Sequence, residues 1–348
     1  MRRRLTTAIA VVLVVALLAA AVLVALRWWR DRDRTELERA AGLAPSGTER
    51  ISWTDWAAVR DALGSSGLED LLEEGYDADL TSTSALVGSG PELADLYGFS
   101  PATIEWELFA QSEEGAVVIV RLPADSDLDD VADQLERIGY DRPDEDATDG
   151  GAWAGGPRLL AEIGTTLTPE LQHVALDAGE HLFLASDNLA YLGRAVDELS
   201  DGELSAGLRD VVAAAGDALS AAVYDGPYAC SALAMSRADR ADEAEGERLV
   251  EEAGEVNPLT GFAMAAQPGG HVRVAMAFAG EDQARTNADS RAVLASGPAP
   301  GQGGDFADRF ALGSAAADGN VVTLDLEPVE GTYVLSDLST GPVLFATC

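Results

Sequence analysis

Residues 104–122 read IEWELFAQSEEGAVVIVRL. Ile104, Trp106, Leu108 and Ala110 alternate with Glu105, Glu107 and Phe109, the period-2 pattern of a mostly half-buried strand. The turn Ser112-Glu113-Glu114-Gly115 leads into residues 116–122, a near-continuous apolar second strand. Leu128, Val131, Leu135 and Ile138 then recur at helical spacing and stop at Gly139. The local unit is a hairpin followed by a helix.

That unit recurs. Residues 172–176 and 181–185 form a second hairpin around Asp177-Ala178-Gly179-Glu180, and Asp187 opens a helix carrying Leu189, Leu192, Val196 and Leu199. A third copy runs through 261–267, the turn Pro268-Gly269-Gly270, 271–279 and a helix over 282–295, in step with the first when Gln111 is laid on Gln267, 156 positions on. Residues 321–326 and 332–335 echo the second hairpin at an offset of about 150. The fold class expected is therefore α+β, with two similar halves over 51–200 and 201–348, each an antiparallel sheet with helices packed on one face. Hairpin-helix units are common in such folds, so chance likeness is the competing reading. Two more helices are expected. One is capped by Ser52 and carries Trp53, Trp56, Val59 and Leu63; the other carries Leu204, Leu208, Val211, Ala215 and Leu219.

Upstream of both halves, Ala8 to Leu26 is 19 residues without charge, Pro or Gly, between Arg2-Arg3-Arg4 and Arg27-Trp28-Trp29-Arg30. At 1.5 Å per residue it reaches roughly 28 Å, a bilayer's hydrocarbon thickness. The expected order is a tail at 1–7, a transmembrane helix at 8–26 and a juxtamembrane linker at 27–50. Residues 19–21, all Ala, offer a signal-peptide cleavage site, but the run exceeds the usual apolar core of about 7–15 residues and Trp28-Trp29 suits an interfacial belt. Arginines flank both ends, so orientation rests on the short N-terminal tail and the cysteines; both favour a C-terminal body outside the cell.

All 23 basic residues are Arg, against 60 Asp and Glu, for a net charge of −37. The first 34 residues carry seven Arg and two Asp, a net of +5, which leaves −42 for the rest. So acidic a body repels nucleic acid, which is excluded as a partner. Genome composition or salt adaptation explains the same letters. The two cysteines, Cys230 and Cys348, are expected to form one disulfide, closing a loop worth up to about 4–5 kcal/mol in chain entropy; two free thiols are the alternative.

Chemical motifs are sparse. Asp125, Asp127, Asp129 and Glu136 have the spacing of a calcium loop, but Asp130 stands where Gly is needed; acidic residues in a first helical turn account for the run. If the second hairpin turns at Ala178-Gly179, His173 faces Leu184 and His181 faces Leu176, which puts the two imidazoles on opposite faces. No nucleophile elbow, phosphate loop, dinucleotide fingerprint or zinc motif occurs. No catalytic, cofactor-binding or metal-ligating residue is therefore assigned. Trp53, Trp56 and Trp106 are expected in the core. Trp153, between Gly150-Gly151 and Gly155-Gly156, is the candidate exposed aromatic.

The Arg-rich start, single apolar span, Lys-free acidic body and the segment Ile51-Ser52-Trp53-Thr54-Asp55-Trp56 resemble, in architecture only, uncharacterised membrane-anchored extracytoplasmic proteins of high-GC Gram-positive (actinobacterial) type. The expectation is a non-enzymatic, single-pass membrane protein that binds a protein or cell-envelope component outside the cell. The alternatives are a small-ligand or lipid carrier with an apolar cavity, and an envelope hydrolase using paired carboxylates.

Overall fold

The computed structural model describes residues 34–65, 67–143 and 151–348. The tail, the apolar run from Ala8 to Leu26 and the linker up to residue 33 lie outside them. Among the described residues no helix is long and apolar enough to cross a membrane.

The described chain folds as mixed α/β around one antiparallel sheet of eleven strands. The strands are β1 (Arg50–Thr54), β2 (Trp106–Ser112), β3 (Gly115–Arg121), β4 (Trp153–Ala154), β5 (His173–Asp177), β6 (Leu182–Ser186), β7 (Ser220–Asp225), β8 (Gly261–Ala266), β9 (Val272–Ala277), β10 (Phe310–Asp318) and β11 (Val321–Pro328). Their order is β10-β11-β9-β8-β7-β1-β2-β3-β6-β5-β4. Two separate sheets are thus not found: β1 pairs with β2 on one side and with β7 on the other, Arg50 opposite Gln111 and Tyr224.

The hairpins β2–β3, β5–β6 and β8–β9 lie where alternation and turns put them, and α5 (Leu128–Ile138) and α11 (Glu281–Leu294) follow the first and third. Asp127 caps α5, Asp129 and Asp130 fill its first turn, and Gly139 ends it at φ 107°, so the calcium-like spacing is a helix start. Four expectations need correction. Ser52 does not cap a helix: β1 occupies 50–54, and α2 (Trp56–Leu63) starts after it, capped by Asp55. The helix expected through Leu219 stops at Ala215 as α8 (Ala206–Ala215), and β7 follows. The last hairpin is β10–β11, one strand earlier than expected, and 334–340 is helix α12 (Val334–Thr340). In the second hairpin His173 faces Ser186, a register two residues away from the expected one, and His181 lies just outside the ladder.

Helices cover both faces of the sheet, not one, and the central strands β1, β7 and β8 bury both their side-chain rows, whereas the edge strand β10 is mostly exposed. One face carries Val118, Val120, Phe183, Tyr224, Phe262, Met264 and Leu324 under α2, α5, α11, α12 and others; Trp56, Leu135, Leu294 and Leu338 reach in from these helices. The other carries Ile51, Trp53, Leu108 and Ile119, with Ala221, Ala263, Ala265, Ala275 and Ala277 in the second half. Three helices close it: α1 (Glu36–Ala41), α7 (Leu189–Asp197) and α8. The alanines let α8 sit against β8 so closely that a Cβ on Gly207 would lie 1.8 Å from the Thr260 carbonyl oxygen. Residues 36–41 pack on the body, with Leu37, Ala40 and Ala41 buried.

Buried polar groups tie distant segments together. Cys230 and Cys348 form a disulfide with Cα atoms 5.7 Å apart. Beside it the buried Arg291 guanidinium donates to the carbonyls of Phe345 at 3.0 Å, Thr347 at 2.5 Å and Asn257 at 2.7 Å. Burial without a carboxylate partner pushes its pKa down to about 9. Asp79, at φ 56°, accepts the N–H of Leu335 at 2.7 Å and of Ser336 at 3.2 Å, capping α12 from 256 residues away. Burial, and to a lesser degree the Asp337 charge, raises the Asp79 pKa to about 6 against the pull of those N–H groups.

Gly207→Ala is expected to cost at least about 1–3 kcal/mol, read as a fall in denaturant midpoint; an unchanged midpoint would show that α8 can lift without penalty. The native Asp79 carboxyl takes its proton near pH 6, an unfolded one near 4, so the native state binds more protons between those values. Its contribution to stability therefore falls as pH rises through that window. Asp79→Asn should flatten this limb of the melting temperature against pH; a limb of unchanged slope would assign it to other carboxylates.

Candidate functional site

Where β1 leaves the sheet, β2 enters, β3 leaves and β6 enters, the strand ends form the floor of a cleft of about 630 Å³. Backbone hydrogen bonds run the ladder past the strand ends and hold the rim. Ala57 N–H donates to Glu105 O at 2.9 Å, Glu105 N–H to Arg121 O at 2.9 Å, and Leu122 N–H to His181 O at 3.0 Å. One wall is α1, which presents Glu36 and Arg39; another is α2 with its cap, which bring Asp61 and Asp55. The turn before β6 brings Glu180 and His181.

Trp106 and Arg121 face each other across β2 and β3 on the face that α1 covers. The Trp106 indole is 3% exposed and packs on Trp53 at a ring-centroid distance of 5.5 Å. Trp53 donates its Nε1–H to Ala218 O at 3.0 Å, whereas Trp106 Nε1 has no acceptor among the described residues. His181 Nδ1 is buried and likewise without a partner, and the residue sits in the left-handed region at φ 53°. A buried unpaired donor costs about 1–3 kcal/mol, and non-glycine residues at positive φ gather at functional positions. Two such features in one cleft mark it as the candidate site.

Its cations are already engaged. Arg39 pairs with Glu36 at 2.9 Å and donates to the Arg34 carbonyl at 2.7 Å; Arg121 pairs with Glu180 at 3.4 Å. Asp55 accepts the Ala58 N–H at 2.9 Å as the cap of α2. Burial raises its pKa, and the nearby charges of Glu36 and Glu105 add to the rise. Among the described residues no group of three or more His, Cys, Asp or Glu is placed to hold a metal ion.

The residues singled out from sequence lie elsewhere. Trp153 is 5% exposed, buried on the other face with Arg142 stacked 5.1 Å from its ring centroid, so it is not an exposed aromatic. His173 and His271 are not in the cleft. The most deeply buried carboxylate, Glu107, is structural. It accepts Trp56 Nε1–H at 2.9 Å, Ser84 Oγ–H at 2.9 Å and Ala85 N–H at 2.7 Å, and burial raises its pKa. The cleft's own signal, a tryptophan donor without an acceptor, has no sequence correlate.

Trp106→Phe removes a donor that no described group satisfies, so it should cost only the packing lost with the smaller ring. Trp53→Phe, which breaks a made hydrogen bond, should cost about 1 kcal/mol more. Equal losses in urea titrations would show that Trp106 Nε1 is satisfied after all. No family model matches this chain, and no curated protein sequence matches it. Among solved structures, crystal forms I, III and IV of TP0453 are similar, with TM-scores of 0.40, 0.39 and 0.40 at 8% identity. They cover 88%, 86% and 86% of this chain and 98%, 96% and 95% of those chains. Likeness at that level carries no information about ligand, activity or common origin.

Proposed function

We propose that this is a single-pass, membrane-anchored extracytoplasmic binding protein without catalytic activity. The run from Ala8 to Leu26 sits in the bilayer, and the α/β body outside engages a cell-envelope component or protein through the cleft. The observation that carries this reading is a cleft of small-ligand size lined by Trp106 and His181, whose buried Nε1 and Nδ1 atoms have no partner among the described residues. The disulfide, which uses both cysteines, supports an oxidising compartment. The charged rim favours a polar ligand over a lipid.

In this reading the body is one design used twice. Outward from the central pair, β1-β2-β3-β6-β5 is matched by β7-β8-β9-β11-β10, with α1 and α8 preceding each set. An envelope hydrolase is the second reading, favoured by the mutual charge of Asp55 and Glu105; against it, the Asp55 carboxylate already caps α2.

Protease added to intact spheroplasts tests the anchored topology. The expected result is digestion of the body from outside, with Cys230 and Cys348 unreactive toward thiol reagents until reduced. A protected body with two reactive thiols would overturn it.

A further inference from the structure

The two borders of the sheet differ. β4 ends one of them with two residues, Trp153 and Ala154, laid on β5. β10 ends the other with nine, and among the described residues it pairs with β11 alone. In the repeated strand order β10 stands where β5 does, so the first half carries a further strand at a place the second half leaves bare. From Gly313 to Asp318 both side-chain rows of β10 are exposed. The register shift at Gly313 lies at the start of this stretch, and beyond it only Ser314, alanines and the terminal Asp318 follow. The Lys, Pro and inward charges that guard natural edges are missing from it. Alanine is a poor strand former, so alanines held extended and packed on nothing suit a backbone that receives another strand.

A second copy of this chain fits the edge on three counts. Laid antiparallel about Ala316, the strand meets itself with Ala315 opposite Ala317 and Asp318 opposite Ser314, so no carboxylate faces its own copy. The two Asp318 residues then stand about 14 Å apart along the strands, beyond the ~8 Å screening length at physiological salt. The two-fold axis relating such strands runs perpendicular to the sheet, which leaves α1 on the same face of both bodies. The apolar run ends at Leu26 and α1 starts at Glu36, so both runs enter one bilayer from the same side. Finally, β4 is too short to receive β10, so association closes at two copies and does not propagate. We infer that β10 is a dimerisation edge, pairing antiparallel with β10 of a second copy anchored in the same membrane. This extends the anchored reading above and is independent of the cleft. Each chain's net charge of −37 opposes the pair. A short edge of small side chains also falls below the roughly 1,200 Å² of a stable interface. Confinement of both copies to one bilayer supplies the effective concentration that the contact lacks.

The full chain carrying Ala316→Cys is oxidised mildly in isolated membranes, where the oxidant reaches both sides; the two native cysteines are already paired. The expected result is a disulfide dimer formed at least tenfold faster than with Ala241→Cys, an exposed position on α10 (Arg240–Ala253). In detergent, sedimentation should show self-association of the parent chain that strengthens as added salt screens the repulsion. Ala316→Glu and Ala316→Lys should each weaken it about three- to fivefold by setting like charges opposite, and an equimolar mixture of the two should restore it. Position 316 is exposed, so melting temperatures should match the parent's. Equal crosslinking at both positions, no dimer, or a crosslink to a different protein in its place would overturn the proposal. So would Glu and Lys variants that associate like the parent or fail to recover on mixing. A chain found outside the membrane fraction would overturn the anchored reading instead, and sedimentation would then decide the edge by itself.

Discussion

The antiparallel pairing of β1 with β7 is the constraint on which the molecule depends. A strand buried on both faces must pair its backbone N–H and C=O groups on both edges, because water cannot reach them. β1 meets that demand with β2 on one edge and β7 on the other, and the ladder continues past its ends through Asp55 N–H to Leu219 O and Asp225 N–H to Glu49 O. Eleven strands thereby share one sheet. The chain must turn at Asp55, so α2 starts there and its first turn becomes a wall of the cleft.

The buried polar groups act where the sheet cannot. Glu107 binds the loop at 84–85 to β2 and α2, Asp79 binds α12 to the loop that follows the helix Leu68–Asp77, and Arg291 binds the last residues to α11. Each is nearly or fully saturated by hydrogen bonds, the condition under which a buried ionisable group is tolerated. Their raised or lowered pKa values follow from burial and do not mark chemistry. The cleft is the opposite case, a place where Trp106 Nε1 and His181 Nδ1 are buried with no partner among the described residues.

The strands of the first three hairpins were legible because they alternate or run apolar between Gly- and Asp-containing turns, though not the register of the second or the place of the last, and α5 and α11 because caps and periodic stripes agree. The two central strands were not. Residues 50–54 are five long and followed at once by a helix whose stripe Trp53 and Trp56 join at helical spacing; β7 is rich in alanine, a helix former. Both are covered on both faces, so neither shows alternation. Helix cover on the second face was hidden for the same reason: Ala221, Ala263, Ala265, Ala275 and Ala277 look like indifferent positions until α8 is seen packed on them. Trp153 lay among glycines that suggested exposure, yet its ring fills the core behind β5. The disulfide was legible because two cysteines allow one pairing.

The separation between β1 and β7 also sets a schedule for a chain made from its N-terminus. The first central strand is finished by residue 54, but its second neighbour does not begin until residue 220. During that interval one edge of a hydrophobic strand stands open, the arrangement most prone to unwanted association. Contacts spanning so much sequence form slowly. The nascent first half must therefore persist with an unsealed border, and the later half arrives as the lid that closes it.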